Sequence, residues 1–235
     1  DDAAGLAVAE NLDAAGRYLG MAKRNANDGI AVIQVAESAT NEVSNILKRM
    51  RELAVQSSSE TLESTERAYI QTEYTQLNSE IDRIADVTEF NGISLTNRES
   101  ASSVLNVQVG MYNTSDDRIG VTFGNLQSTT GLGLGSVNLS VAGDAQSAIG
   151  TIDTALNSVN NYRSTYGAVE NRLNSAIRSL DTYSENLKAA ESQIRDADFA
   201  HEAAEMSKQQ IMQQAGTAIL AQANQINQGA VRLIG

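Results

Sequence analysis

A chain of 235 residues with a formal charge of −12 and no cysteine excludes disulfides, thiolate nucleophiles and cysteine-based metal centres. The charge also makes nucleic acid and anionic membrane surfaces poor partners, and suits a concentrated or secreted soluble protein. With 4% aromatic residues and no proline, the core must come from Leu, Ile, Val and Ala, and long helices run without a forced kink.

The first element is a helix over about residues 3–56. One apolar column runs Leu12, Leu19, Ala26, Ile33, Thr40, Leu47 and Ala54, seven apart. A second, four out of phase, runs Val8, Ala15, Ala22, Gly29, Ala36, Val43 and Met50. This is the seam of a coiled-coil helix, about 80 Å long, and its small residues let a partner backbone approach closely. Ser57, Ser58 and Ser59 end it, because short hydroxyl side chains compete for backbone hydrogen bonds. A second helix follows over about 62–87, with Ile70, Leu77 and Ile84 seven apart and Tyr74 and Ile81 alongside. Phe90-Asn91-Gly92 is a turn.

Beyond the turn the period drops to two. Leu105, Val107 and Val109 alternate with polar residues, as do Ile119, Val121 and Phe123, so a β-hairpin is predicted over about 104–124. Residues 127–143, rich in Gly, Ser and Thr, read as a surface loop. The third helix, about 145–197, carries an unbroken column: Ile152, Val159, Tyr166, Leu173, Leu180, Leu187 and Ile194. Ala155, Tyr162, Val169, Ala176, Tyr183 and Ala190 accompany it. It matches the first helix in length, so the two form an antiparallel pair.

The register then slips. The next column is Met212, Ile219, Ile226 and Leu233, with Ala215, Ala223 and Ala230 beside it. A four-residue insertion into a heptad marks a boundary between bundles. The fold class is therefore mainly α: a long antiparallel helical bundle (a rod, residues 1–197) with a β-hairpin, plus a C-terminal coiled-coil helix (198–235). The stripe of that last helix has no evident partner within the chain, which implies association with other helices.

No constellation of catalytic residues emerges. His201-Glu202-Ala203-Ala204-Glu205 has Glu where a zinc-protease helix needs its second His, and with Asp196 and Asp198 it reads as a solvated junction, not a metal site. Asp116 and Asp117 have too few oxygens nearby for calcium. No cofactor and no metal are expected. Asn113-Thr114-Ser115 and Asn138-Leu139-Ser140 match a glycosylation triplet that is common by chance. Arg49, Leu53 and Gln56, at i, i+4 and i+7, share one helix face; taken alone, that face is the solvated flank of a long helix.

Several strings place the chain beside a known family. Asp1-Asp2-Ala3-Ala4-Gly5-Leu6-Ala7, Arg24-Asn25-Ala26-Asn27-Asp28-Gly29-Ile30, Arg51-Glu52-Leu53-Ala54-Val55-Gln56 and Phe90-Asn91-Gly92 resemble the N-terminal half of bacterial flagellin. Gly167-Ala168-Val169-Glu170-Asn171-Arg172-Leu173, Ile211-Met212-Gln213-Gln214-Ala215-Gly216-Thr217 and Leu220-Ala221-Gln222-Ala223-Asn224-Gln225 resemble its C-terminal half. The resemblance implies a non-enzymatic structural subunit of the extracellular flagellar filament. It also implies a few dozen residues ahead of Asp1, so the chain reads as an N-terminally short flagellin without a large outer domain.

Carried over by resemblance, Arg49, Arg51, Glu52, Leu53, Gln56 and Glu73 form the contact set for a neighbouring subunit and for the vertebrate Toll-like flagellin receptor. Met212, Ile219, Ile226 and Leu233 pack in the filament core. Other flagellin subunits, an export chaperone on the C-terminal helix, and filament cap and junction proteins are the implied partners, with export through the flagellar secretion channel. The alternatives are a cytosolic coiled-coil signalling or adaptor protein, and a hook–filament junction protein.

Overall fold

The computed structural model describes residues 3–97, 104–196 and 199–234, with side chains for 4–97, 104–196 and 203–223. Among the described residues the elements run α1 (Ala3–Ser57), α2 (Ser64–Val87), β1 (Glu89–Phe90), β2 (Ile93–Ser94), β3 (Val104–Gln108), β4 (Arg118–Thr122), α3 (Ala142–Arg195) and α4 (Phe199–Ile234). The mainly α class with a β-hairpin matches the periodicities. The chain divides into two compact units: Asp13–Lys188, and Asp1–Leu12 together with Ala189–Gly235. The second takes in the start of α1 as well as the terminal segment that the register slip sets apart.

Within the first unit α1 and α3 run antiparallel without a break in phase. Lys23 pairs with Asp181, Gln34 donates to Glu170, and Arg51 pairs with Asp153. Each step forward along α1 is matched by an equal step back along α3, as continuous heptad packing requires. Both α1 columns are buried from Leu19 to Ala54, and the α3 column from Ile152 to Leu180. Tyr183 departs from its expected place in the companion column and is exposed.

The ends of α1 and α2 explain one another. No basic residue stands in the last turn of α1, where carbonyls lack helical partners. Arg67 of α2 supplies donors instead, to the Ser57 carbonyl at 3.0 Å and the Ser59 carbonyl at 2.6 Å. Glu66 reaches back to the Glu63 N–H at 3.0 Å, half of a capping box that starts α2. The short β1–β2 hairpin turns at Asn91 (φ 51°) and Gly92 (φ 74°), both positive as a two-residue hairpin turn demands.

Three sets of apolar residues fill this unit, the smallest being Leu19 and Ala22 of α1 with Leu180 of α3. Toward one end, Ala26, Ile33 and Ala36 of α1 and Tyr166, Val169 and Leu173 of α3 close over Val107, Ile119 and Val121 of the β3–β4 hairpin. Pairing Val107 with Ile119 and Leu105 with Val121 sets these side chains on one sheet face. Toward the other end, α1, α2 and α3 pack around Leu47, Met50, Ile81 and Ile152.

The segment 127–143 is not the surface loop its composition suggests. Leu132, Leu134 and Leu139 are buried in the α1–α2–α3 core. Their backbone is held from α2: the Leu139 N–H donates to the Gln71 side chain at 2.6 Å, and the Ser128 N–H and hydroxyl donate to Asp82 at 2.8 and 2.9 Å. Glycine and serine give the segment its tight path, including Gly133 at φ 70°, while the three leucines anchor it.

Candidate functional site

Two surfaces carry the candidate residues. On the first, the α1–α2–α3 face, Arg49 donates to Glu73 of α2 at 2.9 Å and to Glu52, one turn along α1, at 3.1 Å. Arg51 forks onto Asp153 of α3, its Nε and Nη2 donating at 2.6 and 3.3 Å. Positions two apart on a helix lie about 200° apart around its axis. The two arginines therefore border α1 on opposite sides, one toward each neighbouring helix, and do not form one patch.

The ion pairs leave their mark on the charges. The Glu73 and Glu52 carboxylates stabilise the Arg49 cation, raising its pKa. Asp153 does the same for Arg51, and Arg51 in turn holds the Asp153 carboxyl below its ordinary range. These pairs are exposed, so water and salt screen them and they orient side chains more than they stabilise the fold.

Between the two arginines Glu52 and Gln56 are exposed. Leu53 is not: it is 1% exposed and belongs to the core around Met50 and Ile81. It therefore does not share the exposed face of Arg49 and Gln56 that the i, i+4, i+7 spacing suggests. A helix flanked by two others buries a stripe wider than two heptad columns, and Leu53 lies within it. Asp153 is the residue of this face that the spacing did not reveal, since only the antiparallel register brings it opposite Arg51.

The second surface is α4. Met212 and Ile219, spaced by seven, lie within about 20° of each other around the helix and are 50% and 68% exposed. Ile211 and Leu220 are also exposed and widen the stripe by about 100° on one side and 80° on the other. Counting only sevens overlooked both. Ile226 and Leu233 lie within α4, their side chains outside those described, as are those of His201 and Glu202; Asp198 lies outside the described residues altogether. Among the described residues no cluster of His, Asp and Glu suits a metal ion, and no helix is long and apolar enough to cross a membrane.

An apolar stripe on a helix otherwise rich in Gln, Asn and Ala is a surface made for another helix. Comparison with known proteins says which kind. Residues 1–100 match the bacterial flagellin N-terminal helical region, and residues 149–234 match the bacterial flagellin C-terminal helical region.

The chain belongs to the bacterial flagellins.

Relatives agree. The flagellin of Halalkalibacterium halodurans is 44% identical over 234 residues, covering all of this chain and 85% of that protein. The flagellar filament 33 kDa core protein of Treponema phagedenis is 39% identical over 246 residues, covering all of this chain and 86% of that protein. Among solved structures, Bacillus cereus flagellin superposes with a TM-score of 0.58 at 32% identity, over 67% of this chain and 88% of that one. A flagellar hook-associated protein from Vibrio parahaemolyticus shares the fold, with a TM-score of 0.68 at 15% identity over 82% of this chain and 98% of that one. This flagellin is thus a structural subunit of the flagellar filament. The cytosolic signalling hairpin, considered from sequence, has no support.

Proposed function

We propose that α4 supplies the cohesion of the filament: Met212, Ile219, Ile226 and Leu233, flanked by Ile211 and Leu220, pack against helices of neighbouring subunits. One observation carries this reading. The heptad columns are buried from Leu19 to Ala54 in α1 and from Ile152 to Leu180 in α3, whereas Met212 and Ile219 of α4 are exposed. Every subunit brings the same stripe, so the favourable burial repeats along the assembly. Residues 198–235 act as the core helix, and residues 1–197 hold the lattice contacts through Arg49, Arg51, Glu52, Gln56 and Glu73.

Replacing Ile219 with Ala tests this. Removing a large apolar side chain from a buried seam costs about 2 kcal/mol or more, which is about thirtyfold in concentration. The variant is expected to join filament seeds only at that higher concentration, with unchanged thermal stability as a free chain. Assembly at the parent's concentration refutes the reading.

The finer partners follow from family resemblance. Before export through the flagellar secretion channel a chaperone covers the same α4 stripe, since an exposed seam this long invites premature association. Filament cap and junction proteins meet the ends of the assembly. The free subunit meets the vertebrate Toll-like flagellin receptor through the exposed members of the α1–α2 face, Arg49, Glu52, Gln56 and Glu73, and a reporter-cell line exposed to pure monomer tests that contact.

A further inference from the structure

We propose that Met212 is an oxidation site that switches assembly off: a peroxide converts its thioether to the sulfoxide in the free subunit, and the modified chain no longer packs. This rests on the packing of α4 proposed above.

The five methionines are placed very differently. Met50 is 0% exposed in the core, and Met111 is partly buried against Leu19, Ala22 and Leu180. Met21 is half-exposed on α1, with Arg24 donating to its sulfur. Met206 and Met212 are 60% and 50% exposed on α4. Oxidation follows access, so hydrogen peroxide reaches both α4 sulfurs in the free chain well before that of Met50.

Only one of the two lies at the centre of the apolar stripe. Met212 shares its line with Ile219 and is bracketed by Ile211 and Leu220. Met206 sits about 120° around the helix, beyond the edge that Leu220 marks. In the reaction the sulfur takes one oxygen atom from hydrogen peroxide; the O–O bond breaks and water leaves, so the thioether is oxidised and the peroxide reduced. The product replaces a flexible apolar side chain with a strong hydrogen-bond acceptor. An apolar seam gives that acceptor no donor, and burying it there is unfavourable. At the position of Met206 the same oxygen stays in water at no cost to packing.

The test treats the full chain with graded hydrogen peroxide, assigns sulfoxide at each methionine by peptide mass spectrometry, and follows addition to untreated filament seeds. Chains carrying sulfoxide at Met212 are expected to need about tenfold or more higher concentration. A methionine sulfoxide reductase should restore assembly. Met212→Leu should assemble normally after the same dose, whereas Met206→Leu should remain as sensitive as the parent. Unchanged assembly with sulfoxide verified at Met212, or equal inhibition of Met212→Leu and parent, overturns the proposal and leaves the packing reading intact. If the untreated chain never joins seeds, the packing reading falls and the switch falls with it.

Discussion

Gly29 offers a direct measure of how closely the hairpin is seated on α1. It occupies the second heptad column of α1, among small residues, and a Cβ added there would meet the γ carbons of Val107 at 2.9 and 3.2 Å and Leu173 Cδ1 at 3.4 Å. Two effects compete when Gly29 becomes Ala. Helix propensity favours alanine by about 0.8–1 kcal/mol. Against that, Val107 is buried and β-branched, so its methyls cannot swing away through a χ1 change, and overpacking of this kind costs about 1–3 kcal/mol. The net expectation is a loss of up to about 2 kcal/mol. Gly150 on α3 isolates the first effect, because among the described residues a Cβ there meets nothing within 4 Å. Gly150→Ala is therefore expected to gain about 1 kcal/mol. Urea titrations followed by far-ultraviolet circular dichroism, with equal m-values for the three proteins, decide the matter. If Gly29→Ala is stabilised as much as Gly150→Ala, β3 does not press on α1 as described.

Two further perturbations probe single features. Because the Asp153 carboxyl is held below its ordinary value of 3.8 by Arg51, the pair contributes stability above that pH and loses it as pH falls through the lower folded value; Arg51→Gln should lower the urea midpoint at pH 6 and converge with the parent in acid, and a constant gap down to pH 2 would contradict the linkage. Tyr74 is buried, its hydroxyl has no hydrogen-bond partner among the described residues, and burial raises its pKa. An unsatisfied buried polar group costs about 1–3 kcal/mol, so Tyr74→Phe should leave stability unchanged or raise it, where a clear loss in the same titration would reveal a hydrogen bond to that oxygen.

The parts of the fold that were legible in the sequence are those with a period. The columns of α1 and α3 are a local property of helices that meet over many turns, and Ile33, Leu47, Val159 and Leu173 are buried where their spacing places them. The alternation in β3 and β4 named Val107, Ile119 and Val121 for the same reason. What was not legible depends on contacts distant in sequence. Leu132, Leu134 and Leu139 follow no helical or strand repeat, and their burial is fixed by Gln71 and Asp82 on α2. The burial of Leu53 does not show in the sevens, because Leu53 stands outside both columns and a two-column seam assumes one partner helix, whereas α1 has two. On the candidate surfaces, the line through Met212 and Ile219 could be read from sevens. Its flanks, Ile211 and Leu220, and the Arg51–Asp153 pair needed the helices in place.

The central claim is that the α4 stripe stays uncovered in the free subunit and is covered by assembly. Amide hydrogen exchange of residues 203–223, measured on the free chain and on filaments of the same protein, tests it most directly, because exchange reports the opening of each helical segment. The account predicts rapid exchange along this stretch in the free chain, slower exchange in α1 and α3 around Leu47 and Ile152, and strong protection of α4 once filaments form. Equal protection of α4 in both states, at the level of the core helices, would contradict it.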